Sequence, residues 1–198
     1  MFLPKIIFKY SWIYNQHWRE VYSKDKNYPS EKEISNYIKK VEKLWRKDEK
    51  KILKELSAIS GLKWKEKSII CYVVGRCIPF SDPLTMKIYK EYPPNYFVDV
   101  LTHELIHQLF MQDNNIQKSK KAWNYFHRKY KNEKFNTIIH IPVHAMHSHI
   151  ILKYFGEERL KREIKSLSHL SEYKKSWDVV KNEKYKNIIK EFKKRVEQ

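Results

Sequence analysis

The stretch NYFVDVLTHELIHQLFMQ, residues 95–112, constrains this chain more than any other segment. It is apolar on most sides, so it reads as a helix that must lie largely inside the protein. Pro93-Pro94 just ahead of it end any strand and mark where the helix begins. The same helix nevertheless carries His103, Glu104 and His107. An unpartnered polar group in an apolar interior costs roughly 2–7 kcal/mol, so two imidazoles and a carboxyl there demand hydrogen bonds or a metal.

The spacing favours the metal. His103 and His107 stand one helical turn apart on one face, where both can reach a single Zn²⁺ at roughly 2.0–2.1 Å. Glu104 lies beside the first imidazole, too close in sequence to ligate from the same face but able to reach a zinc-held water and take its proton. The bland alternative is a chance match among nine histidines, with the three groups satisfied as core polars. The apolar neighbours Val98, Leu101, Leu105, Ile106 and Leu109 weigh against it, because they leave few partners.

Around this helix the pattern is mixed. Ser30 opens SEKE, where its hydroxyl can cap a helix while Glu33 reaches back. Ile34, Ile38, Val41, Trp45, Ile52 and Leu56 then recur at helical spacing until Gly61 closes the helix. Residues 65–75, KEKSIICYVVG, and residues 84–91, LTMKIYKE, read as two strands, antiparallel in the simplest arrangement, on either side of a turn region at Pro79–Pro83. A further helix is expected over about 118–130, and another from Pro142, a favoured first helical residue, to Gly156. Two amphipathic helices are expected in the Lys/Glu-rich tail, on Leu160, Ile164 and Leu167 and then on Trp177, Val180, Tyr185 and Ile189. The opening segment to about residue 28 fits either a strand or a helix. Together these elements predict an α+β fold, mostly helical, with a two- to three-stranded sheet beside the motif helix. One domain over 1–198 is expected: an N-terminal segment and long helix (1–64), the sheet and site helices (65–156), and a basic helical tail (157–198).

Composition narrows the function classes. The net charge is +18, which would ordinarily suggest a nucleic-acid partner, but only seven of the 41 basic residues are Arg, the type that bidentate phosphate and base recognition favours. Nucleic acid therefore enters only as a secondary expectation, through the basic surface. Cys71 and Cys77 are too few for a disulfide framework and lack the CxxC spacing of a thiol-rich zinc site. Lys5 and Lys9 interrupt the apolar start, no small-residue cleavage site follows, and no later run is long enough to span a bilayer. A cytoplasmic protein with no membrane partner is expected.

Two strands followed by a buried HExxH helix resemble the zincin metallopeptidases, over residues 65–155. The resemblance implies a small sheet above the motif helix and an extended peptide held along its edge strand, for which residues 84–91 are the candidate. It also implies a third protein ligand to the Zn²⁺. The metzincin pattern would need Gly at 110 and His at 113, where this chain has Phe110 and Asp113. His127, about twenty residues on, lies in a lysine-rich helix. The gluzincin-like form takes its third ligand from a later helix, and here His140-Ile-Pro-Val-His144-Ala-Met-His147 occupies that place. His144, inside the helix begun by Pro142, is the first choice, with His140 the alternative, and His147 could orient a ligand or an oxyanion. Tyr154 and Tyr130 are further oxyanion candidates.

The implied activity is peptide-bond hydrolysis on a peptide or protein substrate, with Glu104 as general base. The rival is a basic nucleic-acid-binding or scaffold protein whose zinc site is structural or vestigial. Such a site would be closed by a fourth ligand, for instance His140 together with His144, and the tail would form the contact surface.

Overall fold

A computed structural model describes residues 2–198. The opening segment resolves into both of its alternatives: alternating KIIFK forms β1 (Lys5–Lys9), and Ser11 then caps α1 (Trp12–Val21) by accepting the N–H of Tyr14. α2 (Glu31–Ser60) begins at the expected capping box, where Ser30 N–H donates to the Glu33 carboxylate at 2.8 Å and Glu33 N–H to the Ser30 hydroxyl at 3.3 Å. It ends at Gly61, whose φ of 75° suits the left-handed C-terminal position and whose N–H donates to the Ser57 carbonyl. β2 (Ser68–Val74), β3 (Phe80–Ser81) and β4 (Leu84–Lys87) follow, then the motif helix α3 (Asn95–Met111). Five more helices complete the chain: α4 (Asn115–Lys129), α5 (Phe135–Tyr154), α6 (Glu157–Leu167), α7 (Ser171–Glu183) and α8 (Tyr185–Val196). The fold is α+β. Among the described residues no helix is long and apolar enough to cross a membrane.

The residues group into two compact units, and α2 and α3 each pass from one to the other, after Lys51 and after Gln108. The unit formed by 3–51 and 66–108 holds the sheet. It is four-stranded, in the order β1-β2-β4-β3, rather than two- to three-stranded. β2 and β4 are parallel, not antiparallel, with Tyr72 opposite Thr85 and Val74 opposite Lys87. The reversal that would make them antiparallel is used by β3, which turns back against β4 through Asp82 and Pro83. β4 is consequently an interior strand that stops at Lys87, not the edge that residues 84–91 were expected to offer. β1 is one edge of the sheet, paired in parallel with β2. Its outward groups at Ile6 are taken by α2: Ile6 N–H donates to Glu49 at 2.9 Å and Arg46 donates to the Ile6 carbonyl at 2.7 Å. Such capping closes the edge against further strands. Ile6, Val41, Trp45, Val73, Met86 and Phe97 are fully buried in this unit.

The unit formed by residues 52–65 and 109–198 is helical. α5 begins at Phe135, a full two turns before the expected start, and Pro142 sits inside it. An interior proline removes a helical hydrogen bond and costs about 3 kcal/mol. Burial offsets that cost, since Ile138, Ile141, Val143, Ala145, Met146 and Ile150 are all buried. Gly156, at φ 92°, ends the helix by donating to the Ile151 carbonyl. The tail holds three helices rather than two, and it is packed: Trp177, Val180, Ile188, Ile189 and Phe192 are buried. Phe192 meets Phe110 at 5.1 Å and Trp123 at 5.7 Å between ring centres.

Candidate metal centre

α3 carries His103 and His107 one turn apart, and their rings lie 5.1 Å from centre to centre, tilted by 55°. Helical spacing alone accounts for this. His103 is buried and His107 is half-buried. Glu104 is buried, and desolvation pushes its carboxyl up to about 8. A cation held at the neighbouring rings would favour its ionised form and draw that value back down.

The third member of the group is His140 from α5: one ring nitrogen from each of His103, His107 and His140 lies within 4.8 Å of the others. Three nitrogens on a tetrahedral zinc at about 2.0–2.1 Å would stand roughly 3.3 Å apart. Among the described residues no fourth His, Cys, Asp or Glu joins the group.

The state of His140 suits a ligand. Its Nδ1 lies 2.8 Å from the Asn136 carbonyl oxygen, which can only accept, so Nδ1 carries the proton and Nε2 presents its lone pair. Burial lowers its pKa to about 4, which keeps the ring neutral at physiological pH. A metal requires that neutral imidazole, and an Nδ1–H held by a backbone carbonyl is the usual way its direction is fixed. Three imidazole nitrogens are a donor set that zinc can accept, and a tetrahedral ion would have one further position beyond them.

The other expected residues are not members of this group. His144 is fully buried one turn beyond His140. Its ring stacks on Trp177 of α7 at 4.0 Å and 6°, and its Nδ1 lies 2.8 Å from the Ser176 hydroxyl. That hydroxyl donates its own proton to the Tyr173 carbonyl, so His144 Nδ1–H is the donor. His147 is fully buried with its ring 6.4 Å from that of Trp177. Asp113 is exposed in the turn after α3, and His127 stacks on Phe135 at 5.6 Å. The Tyr154 hydroxyl donates to Glu55, while Tyr130 stacks on Phe126. Cys71 and Cys77 are both free and buried. Desolvation raises both thiols, Cys77 to about 12, and neither belongs to the histidine group.

The sequence ranking of His144 over His140 traces to Pro142. Taken as the first helical residue, it leaves His140 outside the helix; as an interior residue, it puts His140 in the second turn with its Nδ1 on the carbonyl four residues back. That i, i−4 relation to Asn136 was the signal available in the sequence. Comparison with protein-family models, with curated proteins and with solved structures finds no match to this chain.

Proposed function

We propose that this chain is a zinc-dependent peptidase of the zincin type, with His103, His107 and His140 as metal ligands and Glu104 as general base. The observation that carries the reading is the approach of a His140 ring nitrogen to those of an HExxH pair, with no fourth ligand in the group among the described residues. A structural or vestigial site, as in a nucleic-acid-binding or scaffold protein, would call for that fourth ligand and would have no use for a carboxyl at 104. The two buried free thiols suit the reducing cytoplasm.

Zinc in such a site supplies Lewis acidity, polarising a carbonyl and acidifying water. The remaining work falls to the chain. Glu104 accepts a proton on its carboxylate as water oxygen bonds to the scissile carbonyl carbon, and gives it to the leaving nitrogen as the C–N bond breaks. The burial of Glu104 keeps bulk water from competing for that proton. The substrate is a peptide or protein.

Casein hydrolysis by the zinc-loaded protein tests this. Glu104→Gln keeps the shape of the side chain and removes the base, so hydrolysis should fall by at least about 100-fold while zinc stays bound. Hydrolysis that survives Glu104→Gln would overturn the assignment.

A further inference from the structure

The third imidazole comes from a helix that another helix holds in place. α7 meets the start of α5 through several independent contacts. Thr137 Oγ1 donates to the Glu172 carbonyl at 3.2 Å, Lys134 pairs with Glu172 at 3.0 Å, and Lys175 pairs with Glu133 at 3.3 Å. These contacts place Tyr173 against the site side of α5. Its ring lies 4.2 Å from the ring of His140, at 41°, and 5.6 Å from that of His144. One residue pair further along, Ser176 and Trp177 fix His144 by a hydrogen bond and a stack.

The hydrogen bond from His140 Nδ1 to the Asn136 carbonyl sets one point on the ring. Together with the Cβ–Cγ bond it sets the plane of the ring, but a single hydrogen bond resists rotation of that plane only weakly. A flat aromatic side chain at 4.2 Å opposes that rotation by occupying the space on one face.

We propose that Tyr173 is a positioning residue for the metal centre: its ring holds the His140 imidazole so that Nε2 points toward the nitrogens of His103 and His107. The C-terminal segment is then part of the zinc site, although it contributes no ligand. This inference rests on the zinc reading above. It assigns the effect to the ring of Tyr173, not its hydroxyl, and this makes the two substitutions at the position informative.

Zinc affinity is measured by competition with a chromophoric chelator on the full chain, with the visible spectrum of the cobalt-substituted protein recorded alongside. Tyr173 is only half-buried, so the variants are expected to fold, and far-ultraviolet circular dichroism of the metal-free forms checks it. Tyr173→Phe should bind zinc within about threefold of wild type, whereas Tyr173→Leu should lose about 10- to 100-fold, the range typical of lost outer-shell support. The cobalt spectrum of Tyr173→Leu should shift as its coordination distorts, a change that simple destabilisation would not produce. Wild-type affinity and spectrum in Tyr173→Leu would overturn the proposal while leaving the zinc site standing. An equal loss in Tyr173→Phe would overturn the role of the ring. Absence of zinc binding by wild type would instead sink the metal reading itself, and the positioning role with it.

Discussion

Buried histidines on α5 do two kinds of work, and their partners separate them. His140 has its proton fixed by a backbone carbonyl and its second nitrogen near two other imidazoles. His144 has its proton fixed by Ser176 and its face covered by Trp177, the arrangement of a core histidine that knits two helices together. The same physics governs Glu55 elsewhere in this unit. Burial pushes its carboxyl up, but hydrogen bonds from Lys153 at 2.8 Å and His149 at 2.7 Å, with their charges, outweigh burial and hold it below its ordinary value of 4.5. A carboxyl depressed in the folded state binds a proton more readily when unfolded. Its stabilisation is thus present above 4.5 and is lost as the pH falls through the lower folded value. Thermal midpoints of the metal-free protein, measured from neutral pH down through the carboxylate range, should fall less steeply in Glu55→Gln than in wild type. Identical slopes would contradict the assignment.

At the scale of elements, the parts legible in the sequence were those with local signals. The SEKE capping box and Gly61 bracket α2, and the apolar run after Pro93-Pro94 marks α3, because each signal lies within a turn of the end it specifies. The sheet was harder. Strand direction depends on how residues 75–83 cross between β2 and β4, and β3 is two residues long, too short to show alternation. α5 was misread because proline is a good first residue of a helix and a poor interior one, and only burial of the whole helix reverses that preference. Gly75, at the end of β2, shows a constraint of another kind. A Cβ there would lie 2.5 Å from the Tyr28 ring, which is held by its hydroxyl's bond to Asn15 Oδ1 at 2.9 Å. The same Asn15 oxygen accepts the Gly75 N–H at 2.9 Å. Gly75→Ala must displace the ring or break this shared acceptor, and should cost about 1–3 kcal/mol in chemical denaturation. Wild-type stability in Gly75→Ala would show that the ring yields freely.

For the whole molecule, the sequence suggested a helical body ending in a basic tail. The tail is three helices with buried aromatic anchors, and its first aromatic, Tyr173, meets the candidate site. The charge of +18 survives many local ion pairs, among them Lys129–Glu183 and Lys153–Glu55. Of the candidate site, the HExxH spacing of His103, Glu104 and His107 is legible because one helix carries all three. Which imidazole approaches that pair is not, because it depends on where a second helix begins. The central claim is therefore tested most directly at that residue. Zinc content after reconstitution is to be measured by elemental analysis on wild type, His140→Ala and His144→Ala, each shown to be folded. About one zinc per chain in wild type and in His144→Ala, with little in His140→Ala, is the expected result. No zinc in wild type, or zinc lost with His144→Ala and kept with His140→Ala, would contradict the account.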